Sequence, residues 1–153
     1  MRVKRIFNAE LLRTIALKDR VWNTISEDES CSKDEYWPDM EGMYVIALAD
    51  GDTLHGFLLS RILTDSVNDL HIIIDPDLWG NPKNVELTKL GCAHLFQLRT
   101  RMKKLVAMFP TTDAPVLRFA QRVGFQREGV NKASFLRNGK LLDQYYVGLK
   151  RPD

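Results

Sequence analysis

Residues 113–129 read DAPVLRFAQRVGFQREG. Val116, Leu117, Phe119, Ala120 and Val123 recur at helical spacing, which puts an apolar stripe on a helix started by Thr112 or Asp113. Gly124 ends that helix, because glycine enters the left-handed region without steric cost. Two β-rich runs follow, Phe125 to Leu136 and Leu141 to Leu149, on either side of Arg137-Asn138-Gly139-Lys140. Asn-Gly between two such runs is a strong signal for a tight hairpin. The chain therefore closes on a helix and an antiparallel pair.

Working back from there, Lys104 to Pro110 reads as a short buried strand, preceded by a helix that starts at Asn84. Leu87, Leu90, His94, Leu98 and Met102 mark that helix's buried stripe. Before it, Leu70 to Ile74 is a strand that Asp75-Pro76 closes, and Asp77 to Lys83 is a loop. Strand, helix, strand is a crossover, so these two strands pair in parallel. Met43 to Ala49 and Leu54 to Leu63 form a hairpin about Asp50-Gly51-Asp52, and Thr64 to Asp69 turns into the next strand. Met1 to Phe7 alternates as a strand; Asn8 offers an acceptor to free helix amides, and Leu11, Leu12, Ile15, Ala16, Trp22 and Ile25 continue one helix. The order is β-α-loop-β-β-β-α-β-α-β-β. It predicts an α/β (α+β) fold with a mixed, mostly antiparallel central sheet flanked by helices.

The 153 residues, 44% hydrophobic and 27% charged, suit one domain spanning 1–153 with a core that needs no staple. The longest apolar run, Met43 to Ala49, falls far short of the roughly 20 residues of a membrane span. Asn8, Glu10 and Arg13 interrupt any secretory leader after the basic start, so no membrane association is expected and the protein is read as cytoplasmic. Cys31 and Cys92 are read as free thiols, and with His55, His71 and His94 they show no metal-ligand spacing.

Charge is unevenly distributed. Residues 1–82 carry 8 Lys/Arg against 15 Asp/Glu, a net −7, whereas residues 83–153 carry 14 against 5, a net +9. Either the two parts neutralise each other or the surface is polarised, with a basic side suited to phosphates, nucleic acid or an acidic protein. Within the acidic part, Ser26 to Gly42 holds Glu27, Asp28, Glu29, Asp34, Glu35, Asp39 and Glu41 around Tyr36-Trp37-Pro38. It is either a solvated connector or an acidic, aromatic lip over a binding site.

The element order, the pattern Asp113-x10-Gly124-Phe125-x2-Glu128-Gly129 and a closing hairpin carrying Asp143 and Tyr145-Tyr146 resemble the GNAT acyltransferase superfamily. The resemblance implies that acyl-CoA lies where Leu70 to Ile74 and Lys104 to Phe109 splay apart. It also implies that a glycine-containing loop opening the central helix holds the pyrophosphate. A helix N-terminus suits an anion through its free amides and partial positive charge, and glycine lets the phosphate approach the backbone. The family's spacing from Gly124 places that loop at Asn81 to Glu86, with Asn81 for the Arg or Gln, and Asn84 and Glu86 for the small residues. A carboxylate in the first turn and an Asn84 side chain capping the helix would fill the anion site. A rival register, Thr88-x2-Gly91-x-Ala93, keeps the small residues but shortens the helix.

The resemblance implies cofactor-binding candidates Ile73, Asn81, Lys83, Asn84, Arg118 and Arg122, and catalytic candidates Asp69, His71 and Tyr145; the family's tyrosine acid falls on Ala120. Two functions are in view. The first is a non-catalytic binding or assembly protein with a degenerate acyl-CoA site and no cofactor. It is similar to GNAT-like proteins of tailed phages that serve head or internal-virion morphogenesis, and it would meet its protein partners in the host cytoplasm or virion. The alternative is an acetyl-CoA-dependent N-acetyltransferase acting on a cationic amine.

Overall fold

The crossover read from the sequence lies at the centre of the sheet. In the computed structural model, which describes residues 1–153, β4 (Val67–Ile74) and β5 (Lys104–Pro110) run parallel on either side of α3 (Lys83–Leu98). They pair only from Val67 with Lys104 to Asp69 with Val106. Beyond that point β4 stays with β3 (Thr53–Ile62) up to Ile74, and β5 stays with β7 (Lys140–Lys150) up to Pro110. A fork is left between them. With β1 (Arg2–Arg5), β2 (Met43–Asp50) and β6 (Gln126–Arg137), the seven strands run in the order β1-β2-β3-β4-β5-β7-β6, antiparallel except at the fork.

Each face of the sheet buries its own apolar set. On one, Ile46, Leu48, Leu58, Leu70, Leu105 and Val147 pack with Leu87, Leu95 and Phe96 of α3 and with Ala120 and Val123 of α4 (Ala114–Val123). On the other, Val45, Phe57, Leu59 and Ile73 pack with Leu12 and Ile15 of α1 (Ala9–Ala16) and Val21 of α2 (Asp19–Ile25). Side chains alternate along a strand, so Asp69 and His71 share the α1/α2 face with Ile73, while Leu70, Ile72 and Ile74 face α3.

The sequence and the structure differ in instructive places. The single helix expected from Asn8 to Ile25 is two, with Lys18 extended between them. Its ammonium bonds both oxygens of Asp75 at 2.7 and 2.8 Å, a tie across 57 residues that local spacing cannot reveal. Asn8 caps α1 as expected. The turn expected over Thr64 to Asp69 ends early, and β4 begins at Val67. The cause is Asn68, whose buried amide donates to Ser60 Oγ at 3.0 Å and accepts from Arg99 Nε at 3.0 Å, so a turn-forming residue is satisfied inside a strand.

The buried stripe of α3 is also rotated from the expected one. Leu90 and Leu98 are exposed and His94 is half-buried, while Gly91 and Cys92 face inward. A Cβ at Gly91 would collide with the Leu58 side chain, so the missing side chain is what lets α3 lie on β3. This also rules out the Thr88-x2-Gly91-x-Ala93 register, because all three residues lie in the middle of α3. The charge split maps onto space, since residues 1–82 build the β1–β4 side of the sheet and residues 83–153 build the β5–β7–β6 side, α3 and α4. Lys83 with Asp50 is the one ion pair joining the two parts; the others close within each, so the parts do not neutralise each other. No helix is long and apolar enough to cross a membrane.

Candidate active site

His71 sits just past the last parallel pair, at the fork. Its Nε2 lies 3.9 Å from Asp69 Oδ2, and the two side chains are 65% and 26% exposed. Asp69 is itself held, Oδ1 accepting the Arg61 amide at 2.9 Å. An open imidazole with a fixed carboxylate behind it is suited to take a proton from a ligand on this face. Met108 of β5 and Tyr146 of β7, a cross-strand pair, present side chains on the same face. Tyr145 is on the opposite face, edge-on to Phe109 at 6.0 Å with the Arg127 guanidinium 4.6 Å above its ring. The three catalytic candidates thus flank the fork, two on one side and one on the other.

The N-terminus of α3 lies beyond the end of β4. After Ile74, Asp75 caps one turn of 3-10 helix, Pro76–Leu78, and Gly80 reverses the chain with φ +86°. Pro82 is the cap residue, and Asn81 before it, not Asn84, serves the first amides: its Oδ1 accepts the Lys83 amide at 3.0 Å and its carbonyl accepts the Asn84 amide at 3.1 Å. Glu86 is the first residue whose amide can enter the helix ladder, on the carbonyl of the cap residue Pro82, which leaves the Val85 amide without an acceptor in the protein. Asn84 instead turns into the interior, accepting from His55 Nδ1 at 2.7 Å and donating to the Leu78 carbonyl at 2.8 Å. That donation fixes which amide atom is oxygen, and therefore places the His55 proton on Nδ1. The expected filling of the anion site by an Asn84 cap is absent for this reason.

The remaining loop candidates have distinct surroundings. Glu86 is exposed and pairs with Lys89 at 3.6 Å, which offsets its charge. The Lys83 ammonium is bound to Asp50, whose carboxyl it holds below the usual range. Ile73 is buried against α1 and α2. Arg118 and Arg122 stand exposed on α4 without an acidic partner.

Residues 26–42 bridge the two walls of the α1/α2 face. At one end Asp28 accepts the Asn138 and Gly139 amides at 2.9 and 2.7 Å, and Glu27 accepts the Leu136 amide at 2.7 Å. The two amides on Asp28, Gly139 foremost, hold its carboxyl below the usual range. Arg137 locks the junction, with one nitrogen 3.3 Å from Asp113 and another 3.3 Å from the Thr24 carbonyl. At the other end Arg13 donates to the Tyr36 carbonyl at 2.7 Å and stacks 4.7 Å over Trp37. Tyr36 meets Trp22 edge-on at 5.2 Å. Both ends of the segment are fastened, one to the β6–β7 hairpin and the other to α1.

Sequence reading missed His55, Arg13, Arg137 and the roles of Glu27 and Asp28. The partners of each lie at least 20 residues away, and Glu27 and Asp28 merge besides into an acidic run. Asn138-Gly139 signalled the turn but not that its amides would be donors to a distant carboxylate.

No protein-family model matches the chain, and no curated protein matches its sequence. Solved structures do. The chain superposes on spermidine N-acetyltransferase from Vibrio cholerae, solved in complex with CoA and spermine, with a TM-score of 0.79 at 15% identity, covering 97% of this chain and 94% of that one. It superposes on ribosomal-protein-alanine N-acetyltransferase from Brucella melitensis with a TM-score of 0.75 at 15% identity, over 99% and 100%. An acetyltransferase of the GNAT family from Bacillus anthracis gives 0.73 at 13% identity, over 97% and 93%. The fold is the GNAT fold. The expectation of a non-catalytic assembly protein is overturned, because the proteins sharing this fold over nearly the whole chain are acetyltransferases, one of them holding CoA. The leaning toward no cofactor loses its support with it.

Proposed function

We propose that the chain is an acetyl-CoA-dependent N-acetyltransferase acting on a cationic amine. One observation carries this reading: the fork between β4 and β5 opens beside the N-terminus of α3, where the Val85 amide has no acceptor. The donor set fits an acyl-CoA. Val85 offers an N–H group, and α3 its positive end, to a pyrophosphate, and Arg118 and Arg122 add exposed cations. The fork edge of Leu70 to Ile74, unpaired with β5, offers strand groups to an extended amide-bearing arm. The cofactor supplies an activated thioester, and the protein's own part is positioning and proton transfer.

On the α1/α2 face, the His71 nitrogen that does not face Asp69 takes the proton that the acceptor ammonium must lose, and Asp69, beside Nε2, favours the proton on that atom. Tyr145, across the sheet, is the hydroxyl proposed to return a proton to the departing thiolate, since Ala120 has none to give. Glu29, Asp34 and Glu41 of the lip have no cation partner in the molecule, and Trp37 beside them is 59% exposed. Unpaired carboxylates near an exposed aromatic side chain suit an ammonium.

The test is release of CoA thiol from acetyl-CoA in the presence of a polyamine, a peptide with a free N-terminal alanine and a neutral hydroxylamine ether. Turnover with a cationic acceptor supports the reading. Thiol release that does not depend on any amine overturns it.

A further inference from the structure

Asn138-Gly139 is the one Asn-Gly pair in the chain, and both residues are exposed at the β6–β7 turn with φ +53° and +72°. Neither amide has an acceptor in the hairpin itself, since a two-residue turn leaves its central N–H groups outside the strand ladder. Asp28 takes both, Asn138 on Oδ1 at 2.9 Å and Gly139 on Oδ2 at 2.7 Å. The Asp28 amide in turn donates to the Leu136 carbonyl at 3.2 Å. One residue of the acidic segment therefore grips the turn by three hydrogen bonds.

Asparagine before glycine is also a chemically unstable pair. The Gly139 nitrogen, with no side chain beside it, can attack the carbonyl carbon of the Asn138 side chain: a C–N bond forms, the bond to Nδ2 breaks, and ammonia leaves with the proton that the Gly139 nitrogen gives up. Water then opens the cyclic imide at either carbonyl, leaving aspartate or isoaspartate with no change of oxidation state. The attack needs the nitrogen stripped of its proton and the turn free to bend toward it. Asp28 opposes both, because its carboxylate holds the Gly139 N–H on one oxygen and the Asn138 N–H on the other. We propose that Asn138 is a deamidation site guarded by Asp28, and that its conversion unfastens residues 26–42 from the β6–β7 hairpin. Either product adds a negative charge to the turn that the Asp28 carboxylate holds, and like charges oppose. Isoaspartate also routes the main chain through the former side chain, one methylene longer, so the two amides no longer converge on one carboxylate. The clamp protects the turn, and chemical loss of the turn's asparagine removes the clamp.

Ageing of the full chain in warm, mildly alkaline buffer tests this, with peptide mapping to follow the amide-to-acid mass change at Asn138 and enzymatic methylation to detect isoaspartate. Asp28→Ala is expected to deamidate there about tenfold faster than the wild type, the scale of one lost hydrogen bond to a charged group. An Asp28→Ala rate no faster than the wild type's, or a folded wild type that deamidates as fast as the chain in urea, overturns the guarding role. For the unfastening, Asn138→Asp supplies one of the two products directly. It is expected to lower hydrogen-exchange protection of the Asp28 amide about tenfold, taken relative to the intrinsic rate, while circular dichroism stays unchanged. Protection equal to that of the wild type overturns the unfastening, and this readout holds even if Asp28→Ala fails to fold.

Discussion

Asp28 and Gly139, 111 residues apart in the chain, meet at 2.7 Å, where the Gly139 amide donates to Asp28 Oδ2. The contact fastens the acidic lip to the β6–β7 hairpin, and the Asn138 amide doubles it on the other oxygen.

Because these amides depress the Asp28 pKa in the folded protein, the clamp contributes stability above the unfolded carboxyl value of about 4. That contribution is lost as pH falls through the folded value. Asp28→Asn is expected to remove this acid-dependent part and to raise the KM for the amine without changing that for acetyl-CoA. Hydrogen-exchange protection at Asn138 and Gly139, taken relative to the intrinsic rate at each pH, checks it: lower in the variant at pH 7, and lowered in the wild type only at acid pH.

The two cysteines are expected to differ in reactivity. Burial pushes the Cys92 thiol up to about 12, whereas Cys31 is exposed on the lip. A thiol reagent at neutral pH should therefore modify one residue quickly and the second only on unfolding, and Cys31→Ser should abolish the fast phase.

Gly91→Val tests the seating of α3. Its Cβ would meet the Leu58 side chain, so overpacking should cost about 1–3 kcal/mol in denaturant unfolding. An unchanged midpoint would mean that α3 does not lie on Leu58 as described.

His71→Ala is expected to lower kcat by roughly a hundredfold, with little effect on CoA binding, the usual scale of a lost general base. Asp69→Asn should have a smaller effect, because it orients the ring and does not itself touch the substrate. A loss confined to KM would instead make His71 a binding residue.

The order of elements was legible in the sequence because its signals are local. Asn8 caps a helix, Gly124 at φ +121° ends one, and Asn138-Gly139 make a turn with both φ angles positive. What escaped were side chains satisfied at a distance. Lys18 breaks a helix for Asp75, Asn68 joins a strand through Ser60 and Arg99, and Asn84 gives up a cap for His55. The error about function had the same origin. A missing glycine was read as a blocked anion site, but whether an asparagine blocks depends on where its oxygen is spent.

Titration of acetyl-CoA into the wild-type protein, followed by its heat of binding, addresses the central claim most directly. With the Val85 amide clear and the fork open, the expected result is one site with a dissociation constant of about 1–100 μM, the common working range for such substrates. No heat of binding at about 1 mM acetyl-CoA, the top of that range, would contradict it.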